Sequence, residues 1–502
     1  MATSSLTSAP RSSGAHAPLE RRAARGAMLS VANVGAIQLL RLAGNLVTTR
    51  LLYPEAYGLM LLVLVLMQGL QMVSDVGLVP SIIQHERGQE RDFIDTAWTL
   101  QLVRGAIITA LALAVAWPYA RFYGQPELFG LVIAASCQGI LGGFESTNVA
   151  TLNRKLQLGR LALVDVLGQV VTVVVMIAWA LYSPSVWALI GGALAGIAAR
   201  VVASHVALPG PPNRLRWEPE AVVSIFRFGR WIFVSTLVTY LALQLGSFTL
   251  GKLLEDDLEL LGVYGVGQSL AGLPMLLLGQ VMGWVLLPTL SEARRAEPER
   301  FADIVRRARR SMNAIGAVVI VGTATAAPAF FYLLYDHRYH GAGWMVQLLM
   351  VSSWFLLLQS TAGYAQLAMG DSRAQMIANL VNLSASLPGS LAGFWIGERA
   401  GGHGLAGLLL GLAVGSLAGY ATIARGLRAK GIDVWRQDLR WTLVGAALAI
   451  AGTLAPRSLG PLLGVEPPLL SVAACALVVV PHAAWTLRRL GRELGSPLLA
   501  RE

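Results

Sequence analysis

Residues 161–182 read LALVDVLGQVVTVVVMIAWALY, and residues 186–208 read VWALIGGALAGIAARVVASHVAL, with only Ser183-Pro184-Ser185 between them. A hydrocarbon core about 30 Å thick takes roughly twenty apolar residues per helical crossing. Inside it the backbone has no water to bond, so each run must satisfy its own N–H and C=O groups as a helix. The pair therefore reads as a helical hairpin through a bilayer.

The same signature recurs on both sides. Upstream lie runs at 28–50, 56–80, 94–117 and 127–150. Downstream lie 226–250, 260–288, 312–335, 343–368, 374–396 and 404–427, then 438–455 and 468–487. The expected fold class is an all-α polytopic membrane protein with about 14 transmembrane helices, arranged as two six-helix lobes plus two C-terminal helices. Residues 1–26 are expected to be a disordered cytoplasmic leader, 27–212 the N-lobe with helices 1–6, and 213–430 the C-lobe with helices 7–12. Residues 431–502 would hold helices 13 and 14 and a cytoplasmic tail. The 291–310 loop, with Phe301, Ile304 and Val305 among arginines, reads as an amphipathic surface helix.

Composition agrees. The chain is 55% hydrophobic and 13% charged, against about 25% charged in soluble domains, and its mean hydropathy is +0.60. Its 53 glycines suit helices that approach closely. A net charge of +11 would fit a nucleic-acid binder were it spread over a soluble surface. Instead about 30 of the 39 Lys and Arg fall on one set of alternating loops, which orients that set toward the cytoplasm and puts both termini inside. The opposite loops carry acids such as Glu255, Asp256, Asp257 and Glu259. Cys137 and Cys475 both lie in apolar runs, which argues against a disulfide or a thiolate metal site.

The first six spans repeat in the next six. Arg50-Leu51-Leu52 followed by Tyr57-Gly58 matches Lys252-Leu253-Leu254 followed by Tyr264-Gly265, and Pro80 matches Pro288. The turn at 152–160 echoes the one at 367–373. Six crossings per half give both halves one orientation, related by an axis along the membrane normal, with a cleft between them.

Charges deep in apolar helices are costly and mark candidate function. Arg41 lies about 20 Å into the first span, alongside Asn33, Gln38 and Asn45, and Arg104 lies about 15 Å into the third. Asp75 and Glu145 occupy a layer close to that of Arg104, as ion-coupling or ion-pair candidates. For Arg104 and Glu145 a structural ion pair is the competing explanation, and for Asp75 a helix-end role. Asp165 and Arg200 read as snorkelling toward the cytoplasmic interface. The second half carries amides rather than deep charges, among them Gln244, Gln268, Gln280, Gln347, Gln359, Gln366, Asn379 and Asn382. Guanidinium forks suit phosphate oxygens, and amides suit uncharged polar groups. Substrate-binding candidates are thus Arg41, Arg104, Gln38, Asn45, Gln244 and Gln268, for an amphiphile with a phosphate and a sugar head.

Residues 49–60, TRLLYPEAYGLM, resemble the signature after the first helix of polysaccharide transporters. Ser74-Asp75-Val76-Gly77-Leu78, Thr151-Leu152-Asn153-Arg154-Lys155, Gly262-Val263-Tyr264-Gly265 and Leu287-Pro288-Thr289-Leu290-Ser291 resemble further features of the same group. The chain is thus similar, over about residues 26 to 430, to the Wzx-like oligosaccharide flippases of the multidrug/oligosaccharidyl-lipid/polysaccharide exporter superfamily. The resemblance implies two lobes with a V-shaped opening and alternating access. It implies an undecaprenyl-diphosphate-linked oligosaccharide as substrate, moved from the inner to the outer leaflet of a bacterial inner membrane for exopolysaccharide, capsule or O-antigen assembly. The implied partners are that lipid-linked oligosaccharide, membrane lipids, a coupling ion (H+ or Na+), and polysaccharide polymerase and export proteins, with no nucleic acid and no cofactor. A multidrug antiporter of the same superfamily would call for an acidic cavity instead. A membrane-embedded polymerase or ligase would need reactive groups, commonly on a sizeable outer loop, and no enzyme motif is present.

Overall fold

The computed structural model describes residues 17–74, 82, 87–155, 157–463 and 467–494. Sixteen α-helices run through them. In the first half these are α1 (Ala17–Leu51), α2 (Pro54–Val73), α3 (Arg91–Phe122), α4 (Glu127–Gly143), α5 (Asn148–Arg154), α6 (Leu158–Tyr182) and α7 (Val186–Val206). The second half holds α8 (Pro219–Leu253), α9 (Leu258–Val281), α10 (Leu287–Ala296), α11 (Phe301–Leu334), α12 (Ala342–Ala368), α13 (Ser372–Arg399) and α14 (Gly404–Ala429). Two more, α15 (Trp435–Leu463) and α16 (Pro467–Leu494), follow. Among the described residues nine helices are long and apolar enough to cross a membrane, ten if α4 and α5 count as one bent span. The protein is a multi-pass membrane protein.

Three boundaries differ from expectation, each for a local reason. The first helix begins at Ala17 rather than Met28, because six of the residues 17–26 are Ala or Arg, which propagate a helix well. The fourth span is broken. α4 and α5 meet at 58°, and the carbonyls freed at the break find side-chain donors. Gln101 Nε2 reaches Gly142 O, Gly143 O and Glu145 O at 3.0, 3.3 and 3.1 Å, and a ring nitrogen of His205 lies 2.8 Å from Phe144 O. The stretch 291–310 is no separate surface helix. A π-turn at Met282–Leu286 passes the eighth span into α10, and α11 starts at Phe301. Phe301, Val305 and Arg309, each four apart, face inward and are buried, which recruits this arginine-rich segment into the bundle.

Two lobes follow the repeat. In the first, α3 packs on α4, α6 on α7, and α1 on α6. The second is built on α13 against α14, α12 against both α14 and α11, and α9 against α12. Small residues set the closest approaches. A Cβ at Gly407 would stand 1.9 Å from Gly393 O, and one at Gly411 would stand 2.2 Å from Gly389 O. The terminal pair α15 and α16 packs on α11, hence on the second lobe.

The lobes meet chiefly where α2 crosses α9. A Cβ at Gly58 would lie 2.5 Å from Leu258 O, and one at Gly262 would lie 1.8 Å from Pro54 O, so the two backbones touch. This crossing lies at the end of the molecule that carries Glu55, Glu255, Asp256 and Asp257, here termed the acidic end. The connections rich in Lys and Arg, such as 154–160 and 294–300, lie at the other, basic end.

Candidate translocation site

α1 has an exposed guanidinium far from either end. Gln38, Arg41 and Asn45 are three and four apart and share one helix face. Arg41 is exposed, while Gln38 and Asn45 are half-buried. The Nε of Arg41 donates to Gln169 Oε1 of α6 at 3.2 Å, which fixes the side chain's direction.

Arg104 is placed differently. From α3 it donates through Nε to Ser74 Oγ at 3.2 Å and through Nη2 to Gln71 O at 2.9 Å. It thereby closes the C-terminal end of α2, where the last carbonyls lack intrahelical donors and the helix dipole favours a cation. The two arginines hold different partners. Asp75 lies outside the described residues.

Glu145 sits in the break between α4 and α5, and its partner is Arg200 rather than Arg104. Arg200 Nε lies 2.8 Å from Glu145 Oε1 and 3.4 Å from Asp165 Oδ1, and Asn33 Nδ2 donates to Asp165 Oδ2 at 3.1 Å. One guanidinium thus serves two carboxylates, tying α1, α6, α7 and the break together. Asp165 and Arg200, each expected to snorkel toward the interface, are instead neighbours. Their similar distances from the Ser183–Ser185 turn were the signal that an antiparallel hairpin sets them at one depth.

The amides of the second lobe divide into two groups. Gln244 Nε2 donates to Gln68 Oε1 of α2 at 2.9 Å, and Ser247 Oγ lies 3.3 Å from Gln244 Oε1 and 3.1 Å from Gln268 Oε1. Gln244 and Gln268 therefore belong to one polar chain that crosses between the lobes, with the Tyr240 hydroxyl on Val65 O beside it. The other group is internal to the second lobe. Gln359 Nε2 and Gln375 Nε2 donate to Asn379 Oδ1 at 2.7 and 3.0 Å, and Asn379 Nδ2 donates to Thr239 Oγ1 at 2.9 Å.

The second half also holds two buried charges near its basic end. Arg309 and Asp438 are 0% and 1% exposed and form an ion pair. Arg309 Nη1 donates to Thr361 Oγ1 at 2.7 Å and to Leu358 O at 3.2 Å. Asp438 accepts from Asn313 Nδ2 at 2.9 Å and from the Tyr420 hydroxyl at 2.8 Å. The group locks α15 to α11, α12 and α14 and lies inside the lobe, away from the seam between lobes.

A family model described as polysaccharide biosynthesis protein matches residues 47–343. The amylovoran biosynthesis protein AmsL of Erwinia amylovora is 24% identical over 327 residues, 63% of this chain and 81% of that protein. The lipopolysaccharide biosynthesis protein WzxC of Escherichia coli is 20% identical over 400 residues, 78% of each chain. Among solved structures, the lipid II flippase MurJ in an inward closed conformation superposes with a TM-score of 0.63 at 11% identity, over 92% of this chain and 99% of that one. The matched residues include the Arg50-to-Gly58 and Lys252-to-Gly265 repeats and the α2–α9 crossing they build, and the chain belongs to the polysaccharide biosynthesis protein family.

Proposed function

We propose that the protein is a flippase. It carries an undecaprenyl-diphosphate-linked oligosaccharide from the inner to the outer leaflet of the bacterial inner membrane, by alternating access, for exopolysaccharide, capsule or O-antigen assembly. The termini and the basic end face the cytoplasm, following the distribution of Lys and Arg. The observation that carries this reading is the exposed Arg41, ten residues before the end of α1, on a helix that rests against α6. A charge at that depth is costly unless hydrated or paired, and a fork of N–H donors matches a diphosphate. Gln38 and Asn45 extend the same face.

Gln244 and Gln268 receive sugar hydroxyls when the lobes part and the chain to Gln68 opens. Arg104 acts with Arg41 on the diphosphate by leaving the end of α2. Glu145 is the ion-responsive group: taking up H+, or binding Na+, releases Arg200 and loosens the junction of α1, α6 and α7. Membrane lipids surround the spans, and polysaccharide polymerase and export proteins take the product. The chemistry is transport rather than catalysis, with no cofactor.

The test is a deletion strain analysed for lipid-linked sugars by leaflet. Intermediates on the inner leaflet should accumulate, and a gene copy with Arg41→Ala should fail to clear them while inserting at wild-type level. Clearance at the wild-type rate by Arg41→Ala would remove the anion clamp. Loss of the intermediates themselves in the deletion strain would point to an enzyme. Restoration by Arg41→Lys would assign the role to charge alone rather than to the bidentate fork.

A further inference from the structure

Two repeat-related cations cross between the lobes at the acidic end. Arg50, in the last turn of α1, donates from Nη2 to the carbonyl of Leu334, the last residue of α11, at 3.3 Å. Lys252, in the last turn of α8, donates from Nζ to the carbonyl of Phe122, the last residue of α3, at 2.8 Å. Arg50 and Lys252 are equivalent positions of the internal repeat, and α3 and α11 carry the third span of their respective halves. The first span of each lobe therefore sets its terminal cation on the final carbonyl of the third span of the other lobe.

The connecting loops obey the same rule. Gln125, just past α3, donates from Nε2 to Glu255 O at 2.6 Å, and Arg338, just past α11, donates from Nη2 to Thr49 O at 3.3 Å. Aromatic rings add to both sides. Lys252 Nζ lies 5.2 Å from the centroid of the Phe122 ring, and Arg338 Cζ lies 5.3 Å from that of Tyr53. These bonds flank the glycine contact of α2 and α9.

The chemistry suits a reversible closure. The final carbonyls of a helix have no intrahelical donor and sit at the negative end of its dipole, so a cation there is favoured. At an exposed helix end water replaces the cation when the lobes part, so each bond is individually cheap to break. Each contact needs the two helix ends to abut, so it reports the closed state alone.

We propose that Arg50 and Lys252 are a twofold-related pair of latches that hold the acidic end of the lobes shut, and that the transport cycle releases them together. Their place in a cycle rests on the flippase reading; their effect on closure does not. Leu62 offers a reporter. It is 1% exposed and is wedged between the lobes, where a Cβ at Gly251 of α8 would meet its Cδ2 at 2.5 Å.

The experiment places Leu62→Cys in a Cys137→Ser/Cys475→Ser background in nanodiscs and measures the rate of labelling by a hydrophilic maleimide. Arg50→Gln and Lys252→Gln should each raise the rate by about 2- to 5-fold, the range set by a cation at a helix terminus. The double variant should approach the product of the two. The exchange Arg50→Lys with Lys252→Arg should stay near the parent. A second reporter, Ala362→Cys, is 0% exposed and lies inside one lobe, so parting of the lobes leaves it covered. A double variant that labels Leu62→Cys at the parent rate overturns the proposal. So does a double variant that labels both reporters faster, which is unfolding rather than opening. Failure of the flippase reading would appear instead in the lipid-linked sugars of the deletion strain, with the labelling rates unaffected.

Discussion

Arg309 shows what a single side chain can hide. The run Arg306-Arg307-Ala308-Arg309-Arg310 reads as a basic surface, and three of its arginines behave so. Arg309 does not, because Phe301, Val305, Arg309 and Asn313 recur at a spacing of four and form one inward face. Its carboxylate partner lies 129 residues further on, in a segment whose boundary the hydropathy pattern put at that very residue, so periodicity alone had no means of pairing them. Arg41, by contrast, stood out because nothing around it is charged. Breaking a buried ion pair costs roughly 3–5 kcal/mol, whereas replacing both members with apolar residues is often neutral or better. Asp438→Leu should therefore lower the melting temperature in detergent markedly, and Arg309→Met/Asp438→Leu should regain most of the loss. An additive double variant would show that the two charges are not coupled.

At the level of helices, the nine apolar spans among the described residues were legible because twenty-residue apolar runs have one physical solution in a bilayer. The bend at Glu145 was not. The break is met by hydrogen bonds with Gln101, Ser204 and His205, which come from two other helices, and no local pattern encodes them. Composition did anticipate the close helix crossings, since 53 glycines exceed what turns require. The α13–α14 pair depends on them most directly. Gly407→Ala would place a methyl 1.9 Å from a backbone oxygen with no flexible side chain to yield. Overpacking of this kind costs about 1–3 kcal/mol, and Gly272→Ala, where nothing lies within 4 Å, is the matched control. Thermal melting of the two variants should separate them by several degrees. Equal melting temperatures would mean that α13 and α14 pack less tightly than described.

For the molecule as a whole, the internal repeat was the most productive reading of the sequence, because it predicted two lobes of one orientation and the structure builds its seam from the repeated residues. What stayed out of reach was how the candidate residues divide between the lobes and the seam. Gln244 crosses to Gln68, while Glu145 turns inward to Arg200. Joining the lobes at the acidic end should halt any rocking motion. A Tyr53→Cys/Arg338→Cys pair at the arginine–ring contact there can be joined by a bifunctional methanethiosulfonate linker. The cross-link should arrest polysaccharide export, and a reductant should restore it. Export that continues with the cross-link fully formed would rule out a cycle that opens this end.

The buried Arg309–Asp438 pair also bears on ancestry. Asp438 belongs to α15, so a relative that lost the last two helices would strand the arginine in an apolar interior. Truncation and the identity of that one residue must then change hands together. Descendants with twelve spans should carry an aliphatic or amide side chain where Arg309 stands, and those that keep the extra hairpin should keep the arginine. A survey of gene lengths against that column would read the coupling directly.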